Sequence, residues 1–432
     1  PLVGMLSDSY VPPVLDVGQR LPYLVLGTIL TVAGLMGQTV ASYFGAMWIR
    51  YGFAFFLHMF GLNMIYSMMI ALIPDQIHES QTGAANGILA FLLVSGSLFA
   101  FVLFHTVMGE SIIDMYGLYI CIVIFTTILT CLWAHDDDVE HTKLLREKSG
   151  SDDDSIIDLS SSSLADIPGD KAGTKKRRRQ RRRLIILTPF ILLKTMILDP
   201  FATMEWETFR NSYTMDTVRY HDFYIVTVSR TLYYMGISSQ TFFLYYMHDV
   251  IGVHENTASA VAFLSILGQF GGAVTCYPIG LISDIFCGGR RKPFVYLACL
   301  ILAGTHISMI FLTNMTQAMI VGSILGSANG MYLVMDTSLA VDTLPSDIEE
   351  GSSGNAQLLG IWGIAGFVGY SLGPLIGGPM LYLFGHQDVS DEGVASDTIE
   401  YSLRGYAVLV SLSALYFFLS AITLRYIKKT GV

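Results

Sequence analysis

Charge is what this sequence has least of. Asp, Glu, Lys and Arg make up 14% of its 432 residues, against about 25% in ordinary soluble domains. The shortage leaves uncharged runs of roughly 20 residues, the length that crosses a bilayer as a helix. A large soluble all-helical protein would need polar faces at helical spacing, and most of these runs have none. Cysteine is also sparse. Cys121, Cys131, Cys276, Cys287 and Cys299 fall within or at the ends of apolar runs, with neither metal-ligand spacing nor an extracellular pairing pattern, so they read as packed free thiols. The glycines between 271 and 289 match no phosphate-binding loop, which argues against an ATP-driven pump. No nucleophile or metal motif occurs, so neither an enzyme nor a cofactor is expected. An initiating Met and a signal peptide are missing too. The chain begins at Pro1, in what reads as the end of a helix, and the expectation is an amino-terminal truncation or an incomplete chain.

What is present is apolar. The hydrophobic fraction is 52% and the mean hydropathy is +0.53. Apolar runs fall at about 22–42, 51–73, 83–108, 115–134, 223–247, 257–280, 293–313, 316–340, 355–384 and 404–426. The fold class is therefore an all-α polytopic membrane protein, with four runs before a long polar loop and six after it. Small residues such as Gly268, Gly271, Gly272, Gly373, Gly377 and Gly378 let helices approach closely in lipid.

Lys and Arg set the expected orientation. Placing Arg20 in the cytoplasm puts the Lys175–Arg183 cluster, Arg290, Arg291, Lys292, Arg425, Lys428 and Lys429 there as well, and leaves only Arg50 and Arg404 outside. The long loop and the carboxyl end are then cytoplasmic. The Asn314-Met-Thr316 sequon faces outward, too close to two helix ends for its use to be expected. The loop, 135–222, separates an amino-terminal half, 1–134, from a carboxyl-terminal half, 223–432. It opens acidic and Ser-rich, which reads as disordered, and ends in the Lys175–Arg183 bases. A nucleic-acid patch is one reading of those bases. Beside membrane helices, attraction to anionic lipid is the better one. The apolar segment near 184–198 contains Pro189 and Lys194 and is short for a span, so it is placed in the membrane interface.

Two motifs recur. Gly280-Leu-Ile-Ser283-Asp284 is followed by Gly289-Arg290-Arg291-Lys292-Pro293, and Gly4-Met-Leu-Ser7-Asp8 by Gly18-Gln19-Arg20-Leu21-Pro22. A second pair matches at nearly the same offset. Asn63-x-x-Tyr66, Pro74-Asp75 and Gly83 correspond to Asn329-x-x-Tyr332, Asp342-Thr-Leu-Pro345 and Gly354. The chain is a duplication, and two same-orientation halves joined by a cytoplasmic loop are the parallel repeat of a twelve-helix transporter.

The Gly-x-x-Ser-Asp and Gly-Arg-Arg-Lys-Pro strings resemble the loop signature of the major facilitator superfamily. Three further strings, Pro74-Asp75…Gly83, Ser229-Arg230-Thr-Leu-Tyr-Tyr-Met-Gly236 with Gln240-Thr-Phe-Phe-Leu-Tyr-Tyr, and Met335-Asp336…Asp342-Thr-Leu-Pro345, resemble its glycoside–pentoside–hexuronide cation symporter and sucrose transporter branch. The resemblance implies two pseudo-symmetric six-helix halves, with about ten of the twelve helices in this chain. It also implies a sugar or glycoside as substrate, moved by proton- or cation-coupled symport without a cofactor, in a monomer. Gln19 and Leu21 depart from the run of bases usual in that branch. In this family the motif acid meets the amino terminus of a helix from the opposite half: the helix near Gly354 for Asp8, and the one near Gly83 for Asp284, supported by Arg290 and Arg291. Gly4, Asp8, Arg20, Gly280, Asp284, Arg290 and Arg291 are thus the expected gating set, with Asp75 and Asp342 as further helix-end acids.

The candidate substrate and coupling residues are Asp336, Arg230, Asn63, Tyr66, Asn329, Tyr332 and Gln240. Asp336 is the acid deepest in a predicted span, where a charge is costly and calls for a cavity or partner. It reads either as a coupling group or as a structural hydrogen bond. Arg230 either binds substrate or a carboxylate, or snorkels to the surface. Asn329, Tyr332 and Asp336 share one helix face. The amides and tyrosines suit a polyol, or join helix to helix. Tyr233, Tyr234, Tyr245 and Tyr246 suit sugar stacking or interface anchoring. His58, His105 and His306 are lone histidines and read as packing. A solute sensor, a passive facilitator and a channel are the competing function classes.

Overall fold

The computed structural model describes residues 2–9, 20–43, 48–107, 112–133, 206–254, 257–345, 354–387 and 400–428. The Lys175–Arg183 cluster, the 184–198 segment and most of the 135–222 linker lie outside the described residues. So do the side chains of Asp8, Asp75 and His105, although their backbones are helical.

The helices follow the apolar runs closely. They are α1 (Leu2–Ser9), α2 (Leu21–Tyr43), α3 (Trp48–Gln76), α4 (Thr82–Val107), α5 (Ile112–Trp133), α6 (Trp206–Ser212), α7 (His221–Ile237), α8 (Phe243–Asp249), α9 (Thr257–Ile285), α10 (Lys292–Ser308), α11 (Met315–Asp342), α12 (Asn355–Gly385) and α13 (Leu403–Thr423). Among the described residues, nine are long and apolar enough to cross a membrane. The short helix α6 lies in what the sequence assigns to the linker, and its Asn211 carbonyl accepts from Gln357 Nε2 at 3.1 Å.

One predicted run is not a single helix. Residues 223–247 form α7 and α8, joined by a 3-10 segment at Ser238–Phe242. The cause is local: Ser238 Oγ donates to Met235 O at 2.7 Å, Ser239 Oγ to Gly236 O at 2.9 Å, and Thr241 Oγ1 to Ser238 O. Three hydroxyls in four positions bond carbonyls three residues back, and such side chains compete with the α-helical ladder.

The contacts divide the chain into two compact units, which do not coincide with its two sequence halves. One comprises Pro1–Gly4, Ile70–Met115 and Arg210–Val432, the other Met5–Met69 and Tyr116–Phe209. In the larger unit, α9 lies backbone to backbone with α11 and with α4. A Cβ at Gly326 would overlap the Gly268 carbonyl, and one at Gly280 the Gly83 carbonyl. Side-chain bonds reinforce the seams. Thr275 Oγ1 donates to Ser327 O at 3.0 Å, and Asn86 Nδ2 to Ser338 Oγ at 3.1 Å. Helices α7 and α13 are tied by a reciprocal pair, Ser229 Oγ to Ser420 O and Ser420 Oγ to Ser229 O, both 2.9 Å. Two-residue strands, β1 (His386–Gln387) and β2 (Glu400–Tyr401), pair antiparallel between α12 and α13.

In the smaller unit, α2 and α3 pack through Gly27, Gly34 and Gly61. Thr28 and Thr127 hydroxyls meet at 2.8 Å, and Gln38 Nε2 lies 3.1 Å from His58 Nδ1.

Candidate functional site

The first site is the buried face between α7 and α11. Arg230 and Asp336 form an ion pair, with the two residues 5% and 2% exposed. Asp336 sits one turn beyond Tyr332 and two beyond Asn329, so all three reach the same neighbour. Tyr233 stacks on Tyr332 with ring centroids 3.4 Å apart, and its hydroxyl donates to Asn329 Oδ1. The Arg230 guanidinium lies 3.4 Å over the Trp362 ring of α12 and 4.7 Å over the Tyr234 ring, and Nη2 donates to the Tyr234 hydroxyl at 3.3 Å. Aromatic faces attract a cation most strongly where water is excluded. The Tyr332 hydroxyl and the Trp362 indole N–H border the carboxyl without reaching hydrogen-bond geometry. Removing one partner of such a pair leaves a buried charge, at a cost of about 3–5 kcal/mol.

The second site is the junction of α9, α10, α11 and α4. The Asp284 carboxylate accepts from the first-turn amides of α4, Gly83 N at 3.2 Å and Ala84 N at 2.7 Å. A helix amino terminus offers unpaired N–H groups and a partial positive charge. Arg291, 1% exposed, spreads its fork over three groups. Nη1 meets Asp284 Oδ1 at 2.5 Å and Ser283 Oγ at 2.8 Å, and Nε meets Asp342 Oδ2 at 3.0 Å. A planar guanidinium presents donors along separate edges of a rigid fork, whereas an ammonium offers its three donors from a single point. The first copy of the motif repeats part of this. Arg20 donates to Ser7, and a Cβ at Gly4 would overlap the Ala356 carbonyl in the first turn of α12, as one at Gly280 would overlap Gly83 in α4.

A family model described as Major Facilitator Superfamily matches residues 1–354. The chain belongs to the major facilitator superfamily. Three solved transporters of similar fold agree. A bacterial homologue of the iron transporter ferroportin, in its outward-facing state, aligns at TM-score 0.54 and 12% identity, over 98% of this chain and 85% of that one. The human organic anion transporter MFSD10 (TETRAN) aligns at 0.52 and 11%, over 98% and 83%. The transporter FucP, in its outward conformation, aligns at 0.54 and 12%, over 99% and 87%. At these identities the likeness is one of fold. A search of curated proteins returns no match. As a superfamily member with nine apolar helices among its described residues, the chain is an integral multi-pass membrane protein.

Not every residue singled out by sequence enters these sites. Arg290, grouped with the gating set, is exposed, and its backbone carbonyl accepts from Ser283 Oγ at 3.3 Å. Gln240 is half-buried in the 3-10 segment, ten residues and thus about 15 Å along the chain from Arg230. Asn63 and Tyr66 belong to the smaller unit. Asn63 is exposed, and its Nδ2 caps the Met59 carbonyl of its own helix at 2.8 Å. Tyr233 is wholly buried and is no interface anchor. Tyr246 is buried as well, donating to Met309 O at 2.6 Å. His306 is a satisfied core histidine, with Leu302 O at 2.8 Å from Nδ1 and Ser239 Oγ at 3.2 Å from Nε2. Sequence reasoning missed Trp362, whose apolar, Gly-rich surroundings gave no signal. It also missed the Asn86–Ser338 bond. Among the described residues no group of three or more metal-ligating side chains gathers.

Proposed function

We propose that the chain is a secondary active transporter that moves a small polar solute, of the sugar or glycoside class, by proton- or cation-coupled alternating access. The observation that carries this reading is the buried Arg230–Asp336 pair with its aromatic wall. A carboxyl that is neutral when alone in an apolar interior, and ionised when paired with a guanidinium, can trade a proton for a salt bridge. Asn329, Tyr332, Tyr234 and Trp362 surround it with the hydrogen-bonding and stacking groups a polyol needs. In this reading Asp284 on the amino terminus of α4, with Arg291 and Asp342, is a latch that closes the cytoplasmic side, and Asp8 is its counterpart. The Lys and Arg distribution supports a cytoplasmic linker and carboxyl end, with Lys175–Arg183 on anionic lipid.

The test is uptake into proteoliposomes by the full chain, against a panel of sugars and glycosides with and without an imposed proton or sodium gradient. Wild type is expected to concentrate its substrate. Asp336→Asn is expected to lose accumulation while still exchanging substrate across the membrane. If Asp336→Asn still concentrates substrate under a gradient, Asp336 is structural. Specific binding without any uptake by wild type would favour a sensor instead.

A further inference from the structure

At the opposite end of α9 from Asp284, the α8–α9 turn brings two histidines together. Gly252, at φ 74°, reverses the chain after α8. Val253 N bonds back to Met247 O at 3.1 Å, and His254 returns over His248. Their rings meet edge to face with centroids 4.8 Å apart, and His254 Nδ1 lies 3.3 Å from His248 Nε2. The other nitrogen of His248, Nδ1, is 2.8 Å from Asp249 Oδ1.

Asp249 is fixed in its turn. Its side chain is 3% exposed, and Oδ2 accepts from the Tyr406 hydroxyl at 2.7 Å and from Tyr401 N at 3.1 Å. A carboxylate so held accepts the Nδ1–H of His248, which leaves the Nε2 lone pair directed outward at His254. This is the carboxylate–histidine arrangement that orients metal-ligating imidazoles. The spacing also fits. Two nitrogens bound tetrahedrally at about 2.0–2.1 Å to one zinc ion stand about 3.3–3.4 Å apart. His254 is exposed, so a modest rotation of its ring and a shift of its proton from Nδ1 to Nε2 would turn the hydrogen bond into a second ligand.

We propose that His248 Nε2 and His254 Nδ1 form a binding site for a borderline divalent metal ion, Zn2+ first, with Asp249 as the orienting carboxylate and water completing the coordination. A bound ion would staple the end of α8 to the turn that leads into α9.

The experiment titrates Zn2+ into the chelator-treated full chain in detergent by calorimetry, and Cu2+ by electron paramagnetic resonance. One Zn2+ per chain is expected at this site, weakened at least tenfold in both His248→Ala and His254→Ala. Asp249→Asn, which keeps the shape and removes the charge, is expected to weaken it by about tenfold. The Cu2+ spectrum should show coupling to two imidazole nitrogens, falling to one in His254→Ala, a substitution at an exposed side chain that leaves the fold intact. Unchanged Zn2+ affinity in His254→Ala, or a wild-type Cu2+ spectrum with a single nitrogen, would overturn the assignment.

Discussion

Gly280→Ala tests the α9–α4 junction without touching a charge. The added methyl would overlap the Gly83 carbonyl. That obstacle is backbone, so no rotamer change relieves it, and the helices must part by about 1 Å to regain ordinary contact distance. The Ala84 N–Asp284 bond, now 2.7 Å, would stretch to about 3.7 Å, and the longer one to Gly83, now 3.2 Å, to about 4.2 Å. Neither length is a hydrogen bond. Bonds to a charged acceptor contribute about 1.5–3 kcal/mol each, part of which water restores. A net loss of about 3 kcal/mol corresponds to a shift on the order of 100-fold in the open population. Hydrogen exchange of the first-turn amides of α4 reads this directly, because protection there measures local opening. Gly96→Ala is the control. It lies on the same helix with nothing within 4 Å of its would-be Cβ, and it should leave protection unchanged. Unaltered exchange at Gly83 and Ala84 in the Gly280→Ala protein would refute the reasoning.

Two further outcomes follow from the same geometry. Arg291→Lys retains the charge but not the fork. It should keep Asp284 or Asp342 and release the other, so a cycle with Asp342→Asn in thermal unfolding should give a coupling of about 0.5–3 kcal/mol; strict additivity would contradict the shared guanidinium. Gly326→Leu places a branched side chain where the Gly268 backbone already sits, and should abolish the monodisperse folded protein in detergent chromatography; a variant eluting and melting like wild type would show that the α9–α11 seam is looser than described.

Much of this was legible in the sequence. The spans were, because lipid demands long runs without charge. Which motif arginine is buried was not distinguished, although the repeat holds the signal. Aligning Pro22 with Pro293 pairs Arg20 with Arg291 and leaves Gln19 opposite Arg290. The two paired arginines are buried and hold a motif serine, whereas Arg290 is exposed. The departure in the first copy thus falls where the second copy puts an exposed base. The face of Asn329, Tyr332 and Asp336 followed from helical spacing alone. Other features depend on tertiary choices that a one-dimensional pattern does not carry. The 3-10 break reflects where three hydroxyls turn, and the same residues in a helix facing a neighbour would read identically. Trp362 is one apolar residue among many until Arg230 lies under its ring. The contact of α9 with the start of α4 was expected from the family resemblance, at Asp284 and Gly83, but the backbone approach of Gly280 to Gly83 was not, because in sequence each is one glycine among many.

The glycine seam also makes a common carrier. With backbones touching at Gly326 and Gly268, and again at Gly330 and Gly272, α9 and α11 have no side-chain cushion between them. Asp336 and Asp342 ride on that carrier six residues, or about 9 Å, apart, one gripped by Arg230 and the other by Arg291. Both grips fall within the last seven residues of α11, beside the end of α9 that carries Asp284.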